Sequence, residues 1–139
     1  MAVEAARQLQ QAVPAAVSAL TLASTTLPFA DRLNAGIVAA AIGLDDRAAL
    51  RDVASTSRAA LAELAAALRQ PATALVLAAE RRTPRPASAQ EMIQGDGAVG
   101  ALVGSGAVIA RFVAHRSVHA DLVDHFRETG HEHERADAK

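Results

Sequence analysis

GDGAVGALVGSGAVIARF, residues 95–112, decides how the rest of the chain is read, because it places glycines at 95, 97, 100, 104 and 106 inside an apolar run. A dinucleotide fingerprint, G-x-G-x-x-G, needs a strand before its first glycine and further strands after it, so that helix amides meet a pyrophosphate. EMIQ before Gly95 reads as helix, and only about forty residues follow Gly100. Neither the phosphate-binding loop G-x-x-x-x-G-K-[ST] nor a G-x-S-x-G nucleophile turn is present. A membrane span wants about twenty apolar residues, whereas Asp96 and Arg111 bracket an uncharged stretch of fourteen. Close packing remains. Glycine within a helix costs up to about 1 kcal/mol relative to alanine, so several together imply that something approaches the backbone. Gly100 and Gly104 have the small-x-x-x-small spacing that lets helices touch. A glycine-rich loop ahead of a shorter helix near Val108 is the plainer alternative.

The helical reading extends downstream, over about 98–129 to a stop at Gly130. At one hundred degrees per residue, Ile109, Phe112, Val113, Ala120, Val123 and Phe126 share one side, too wide for a solvated helix. Gly100, Gly104, Ile109, Phe112, Arg116 and Phe126 are therefore the expected partner-binding residues. Arg116 falls within the apolar arc and needs an acid, which Asp52, Glu63, Glu80 or a second subunit would supply. His115 and His119, one turn apart, have the spacing for two imidazoles on one metal ion, but no H-E-x-x-H and no third ligand accompany them. The plainer reading has both rings covering the margin of the core. His131 and His133 alternate with glutamates in a polar tail, 130–139, expected to fray.

Upstream, residues 2–13 are good helix formers. Pro14 kinks that helix or opens another, with Val13, Val17, Leu20, Ser24 and Leu27 at helical spacing and Ser24-Thr25-Thr26-Leu27-Pro28 as the stop. Asp31 is placed to cap the next helix, which Gly43 ends. Asp45-Asp46 reads as the start of a helix to about Gln70, and Pro71 as the first turn of another through about Arg82. RRTPRPAS, residues 81–88, is the best linker. Ser88-Ala89-Gln90-Glu91 matches a capping box before Met92 and Ile93. No segment sustains period-two alternation. The expected fold is all-α: a bundle of about five to six helices with a long C-terminal helix, forming one domain over 1–129 with a possible division at 83–88.

Residues 47–82, RAALRDVASTSRAALAELAAALRQPATALVLAAERR, resemble the helix-turn-helix segment of small bacterial regulators of the winged type. The resemblance makes LAELAAAL the first helix and ATALVLAAERR the recognition helix, with Thr73, Arg81, Arg82 and Arg85 as DNA contacts. Arg69-Gln70-Pro71 stands where a glycine-containing turn is usual, and no strand pair follows as a wing.

Composition bounds the function. At 139 residues with 51% apolar content and 2% aromatic, a core must be built from Ala, Leu and Val. A net charge of −1 supplies no global field for nucleic acid or anionic membranes. With no cysteine, disulfides, thiolate metal sites and thiol nucleophiles are excluded. The abundance of alanine and arginine points to a GC-rich coding origin. The polar start MAVEAARQLQQ does not match an export signal, so a cytoplasmic setting is expected. No paired carboxylates and no Ser/His/Asp set stand out, and no cofactor is expected. The sequence therefore reads as a non-enzymatic helical protein that self-associates or binds another helical protein through its C-terminal helix. A DNA-binding regulator and a membrane-associated helical protein are the alternatives.

Overall fold

A computed structural model of the chain describes residues 1–12, 16–118, 120 and 125–136. Two compact units emerge, one from 1–80 with 97–113 and the other from 81–96 with 114–139. The first unit is not a helical bundle. Its elements are α1 (Ala2–Ala12), β1 (Ala19–Ala23), α2 (Asn34–Ile42), β2 (Ala49–Val53), α3 (Ala59–Ala67), β3 (Ala74–Glu80) and, after the other unit's segment, a strand (Gly97–Val103) numbered β4. The four strands form one mixed sheet in the order β2-β1-β3-β4, parallel except for β4.

The parallel register sets Leu20 beside Leu75 and Leu22 beside Leu77. Leu20, Leu75 and Leu77 are the largest fully buried side chains, at 0%, 1% and 0% exposure. Along α1, Ala2, Val3, Ala6 and Leu9 recur at helical spacing and pack on this leucine cluster, as do Ala35, Val38 and Ile42 of α2. An Arg7 guanidinium donates to the Ala41 carbonyl at 3.1 Å and ties the two helices together. Alternate residues of the same strands, Ala23, Ala74 and Val76, are buried on the opposite face. There α3 lies against β1 and β3. The chain steps one way from β1 to β2 and the other way from β2 to β3, so two right-handed crossovers put α2 and α3 on opposite faces.

Local punctuation was readable. Gly43 ends α2 in the left-handed region, φ 66°, and Leu44 N–H closes on the Ala39 carbonyl at 2.9 Å, the αL glycine stop expected there. Asp45, by contrast, starts no helix. Its carboxylate accepts from Arg47 N–H at 2.8 Å, a turn that feeds β2. The supposed helix over 45–70 is thus a strand, a loop and the nine-residue α3. The supposed helix over 71–82 is β3, and the helix expected through Leu20 is β1.

The long C-terminal helix does not form either. Residues 97–103 are β4, and no helix is assigned among the described residues beyond it. Gly100 does have close neighbours, but they belong to the same chain: a Cβ there would lie 2.6 Å from Leu9 Cδ1 and 2.8 Å from Leu77 Cδ2. The missing side chain lets α1 rest on the sheet. Gly104 is less crowded, its nearest atom being Thr73 Oγ1 at 3.3 Å.

The second unit holds a one-turn helix, α4 (Ala89–Ile93), and a short antiparallel pair, β5 (His125–Phe126) with β6 (Arg135–Ala136). The Ser88 half of the capping box forms, its Oγ accepting from Glu91 N–H, but the Glu91 carboxylate takes Ala87 N–H at 2.7 Å while Ser88 N–H goes to the Arg85 carbonyl. An Arg82–Glu134 ion pair at 2.9 Å, both residues partly buried, joins the start of the unit to its end.

Overfilling the site under Leu9 should be costly. Gly100→Val is expected to lower unfolding free energy by about 1–3 kcal/mol, against less than about 1 kcal/mol for Gly104→Ala, both read by urea denaturation. Equal effects would contradict the packing of α1 on β4.

Candidate functional site

In sheets of this kind the polar groups that do chemistry gather beyond the carboxyl ends of the parallel strands. Here β1 runs into Ser24-Thr25-Thr26, β2 into Ala54-Ser55-Thr56-Ser57-Arg58, and β3 ends on Glu80. The register that pairs Ala23 with Ala78 carries Thr25 alongside Glu80 two residues later. The Glu80 carboxylate accepts from Thr25 N–H at 2.7 Å, from Thr25 Oγ1 at 2.9 Å and from Thr26 Oγ1 at 3.0 Å. Ser24, itself buried, accepts from Thr26 N–H at 3.0 Å, while Ser24 N–H donates to the Val53 carbonyl at 3.0 Å. The ends of all three parallel strands are thereby bound to one loop.

The far side of that loop is held from β2. Leu33 precedes α2 without capping it; the carboxylate of Asp52 instead takes the Asn34 and Ala35 N–H groups at 2.7 Å each. A carboxylate at this helix N-terminus meets unsatisfied donors and the positive end of the dipole. Asn34 is buried, and its amide donates to Asp52, to the Phe29 carbonyl at 2.9 Å and to the Arg32 carbonyl at 3.0 Å, while its oxygen accepts from Phe29 N–H. Arg32 sits 5.3 Å from the Phe29 ring centroid. The loop from Ser24 to Leu33 is thus fixed at both ends by acids from neighbouring strands. The start of α3 carries no side-chain cap and is bordered by exposed Ser55, Thr56, Ser57 and Arg58.

The residues singled out from sequence fall elsewhere. Gly100 lies in β4 and Gly104 just after it. Ile109, Arg116 and His115 are exposed on irregular backbone, Phe112 and Phe126 are partly exposed, and His119 lies outside the described residues. Arg116 is therefore not buried, and the acids offered to it are engaged: Asp52 with α2, Glu63 with Arg51, and Glu80 with Thr25 and Thr26. No group of three or more His, Asp or Glu placed to hold a metal occurs among the described residues. Thr73 precedes β3, its carbonyl accepting from Ser18 at 2.9 Å. Arg81 pairs with Asp96 at 3.9 Å and Arg82 with Glu134, while the Arg85 carbonyl accepts from Ser88 N–H. The recognition helix of the helix-turn-helix reading is strand β3, which removes that reading.

Glu80, Asp52, Asn34 and Ser24–Thr26 did not emerge as a set from the sequence. The signal was a repeated one, an apolar run ending on polar residues, in ALTLA-STT, LRDVASTS and ALVLAAE.

No protein-family profile matches the sequence, and no curated protein matches it. Solved structures do resemble the fold. PksG, an HMG-CoA synthase from Bacillus subtilis, superposes with a TM-score of 0.76 at 22% identity, over 98% of this chain and 36% of that one. An HMG-CoA synthase complexed with CoA gives 0.73 at 20% identity, over 98% and 38%. A 3-oxoacyl-(acyl-carrier-protein) synthase III gives 0.69 at 16%, over 97% and 49%. At these identities the likeness is one of fold, and the chain spans between about a third and a half of the length of these enzymes. With the mixed sheet, it overturns the expectation of a non-enzymatic helical interaction protein. No helix among the described residues is long and apolar enough to cross a membrane.

Removing the acid that serves two elements should loosen this loop. Asp52→Ala is expected to cost about 2 kcal/mol or more, from a lost helix cap that leaves the Asn34 and Ala35 N–H groups without an acceptor. Asp52→Asn, which keeps one acceptor oxygen, should cost less. Hydrogen exchange at residues 24–35 should quicken first, and unchanged exchange there would contradict the assignment.

Proposed function

We propose that this chain is a partial condensing-enzyme fold that binds an acyl thioester, of coenzyme A or of an acyl carrier protein, beyond the carboxyl ends of β1, β2 and β3. The single observation that carries the reading is the superposition of nearly the whole chain on about a third of HMG-CoA synthase structures, one of them holding CoA. The polar strand ends support it, since they gather hydroxyls, a carboxylate and Arg58 where open α/β sheets take ligands.

The chemistry available to this chain is bounded by its residues. Thioester condensation through a covalent acyl-enzyme uses an activated nucleophile, and with no cysteine in the sequence no thiolate comes from here. The role proposed is recognition and positioning, with any thiolate supplied by other protein. Glu80 keeps the hydroxyl loop in place, and Arg58, an exposed residue just before α3, meets the phosphates of the carrier.

Acetyl-CoA at saturation is expected to raise the melting temperature of the chain. Arg58→Ala should weaken CoA binding about tenfold, the worth of one charge-assisted hydrogen bond, without changing the melting temperature of the unliganded protein. Absence of any shift with CoA, acyl-CoA or phosphopantetheine-loaded carrier protein would overturn the proposal.

A further inference from the structure

The hydrogen bonds at the end of β3 have a direction as well as a length. An ionised carboxylate has no proton to give, so every group on Glu80 is a donor: Thr25 N–H to Oε1 at 2.7 Å, and the Thr25 and Thr26 hydroxyls to Oε2 at 2.9 and 3.0 Å. A hydroxyl has one proton and two lone pairs. With its proton on Glu80, Thr26 Oγ1 can only accept from Ser24 Oγ, 3.3 Å away, and Ser24 Oγ in turn accepts from Thr26 N–H at 3.0 Å. The hydroxyl protons therefore run one way, from Ser24 to Thr26 to Glu80, with Thr25 feeding the same oxygen. Ser24 is buried, whereas Thr25 and Thr26 are partly exposed. Towards any further group the two threonine side chains offer oxygen lone pairs and no proton.

We propose that Glu80, by taking those protons, makes this loop a receptor for N–H donors, and that the ligand group it receives is an amide N–H of the pantetheine arm and not the thioester carbonyl. The inference rests on the thioester reading and narrows it. A developing oxyanion needs donors aimed at it, and the Thr25 and Thr26 hydroxyls have spent theirs. The pantetheine arm is common to coenzyme A and to a loaded carrier protein, and each of its two amides carries one N–H. Carbonyl and phosphate oxygens would meet lone pairs at these hydroxyls, which leaves acceptors without donors. Arg58, exposed just before α3, is the complementary group for phosphate. Glu80 is thus a positioning residue: it acts through the hydroxyls, setting the polarity of the groups that touch the arm.

Phosphopantetheine and two analogues, each with an ester oxygen in place of one amide N–H, provide the test by calorimetric titration of the whole chain. Wild type should bind phosphopantetheine about tenfold more tightly than one of the two esters, which loses a hydrogen bond and sets oxygen against lone pairs. Glu80→Gln is nearly isosteric and reverses the protons. Its Oε1 keeps Thr25 N–H, while its NH2 donates to the Thr25 and Thr26 hydroxyl oxygens and frees both hydroxyl protons. In that variant the preference for the amide should fall to about twofold or less. A merely structural role for Glu80 would weaken all three ligands alike and leave the ratio unchanged. Thr25→Val, which deletes one acceptor and leaves Glu80 in place, should lower the ratio as well. Equal binding of phosphopantetheine and both esters by wild type, a ratio unchanged in Glu80→Gln, or binding of coenzyme A or loaded carrier protein without binding of the free arm would overturn this inference and leave the thioester reading standing. Absence of binding by the arm, coenzyme A and loaded carrier protein alike would overturn both.

Discussion

The parallel contact between β1 and β3 is the constraint on which this structure depends. Leu20 beside Leu75 and Leu22 beside Leu77 build the centre of a core that has no aromatic in it, since Phe29, Phe112 and Phe126 all stay partly exposed. Short aliphatic side chains give few contacts each, so stability must come from many surfaces brought close together. That explains why the positions facing the leucines are so small. Ala6 and Ala35 are completely buried, and Gly100 has no side chain where Leu9 crosses the sheet.

The same contact sets the polar end of the molecule. Once Ala23 lies beside Ala78, Thr25 reaches Glu80, and once Ala23 lies beside Val53, Ser24 N–H finds the Val53 carbonyl. Asp52, on the edge strand, holds the first amides of α2 and completes the frame around the loop. Apolar register and polar geometry are therefore one arrangement. A slip of one residue would reverse the faces of every leucine and separate Glu80 from its threonines.

Much of the local punctuation was legible, and the strands were not. The helix over 2–12, the glycine stop at 43 and the Ser88 cap of α4 follow from local rules that tertiary structure leaves alone. ALTLA and ALVLAAE read as helical in sequence because a strand buried on both faces is a continuous apolar run, without the alternation that marks a half-exposed one. Alanine and leucine, both strong helix formers, deepen the ambiguity. The glycine run was correctly a place of close approach at Gly100, but the neighbour is a helix crossing a strand. The site was missed for the same reason, because Thr25, Asp52 and Glu80 converge only once three runs are laid parallel.

The most direct test is a methyl NOESY spectrum of the leucine-labelled protein. Leu22 and Leu77 should show strong methyl-to-methyl contacts, with strand-type sequential amide patterns through residues 74–80. Helical amide contacts through 74–80, with no Leu22–Leu77 cross-peak, would contradict the parallel core and with it the whole account.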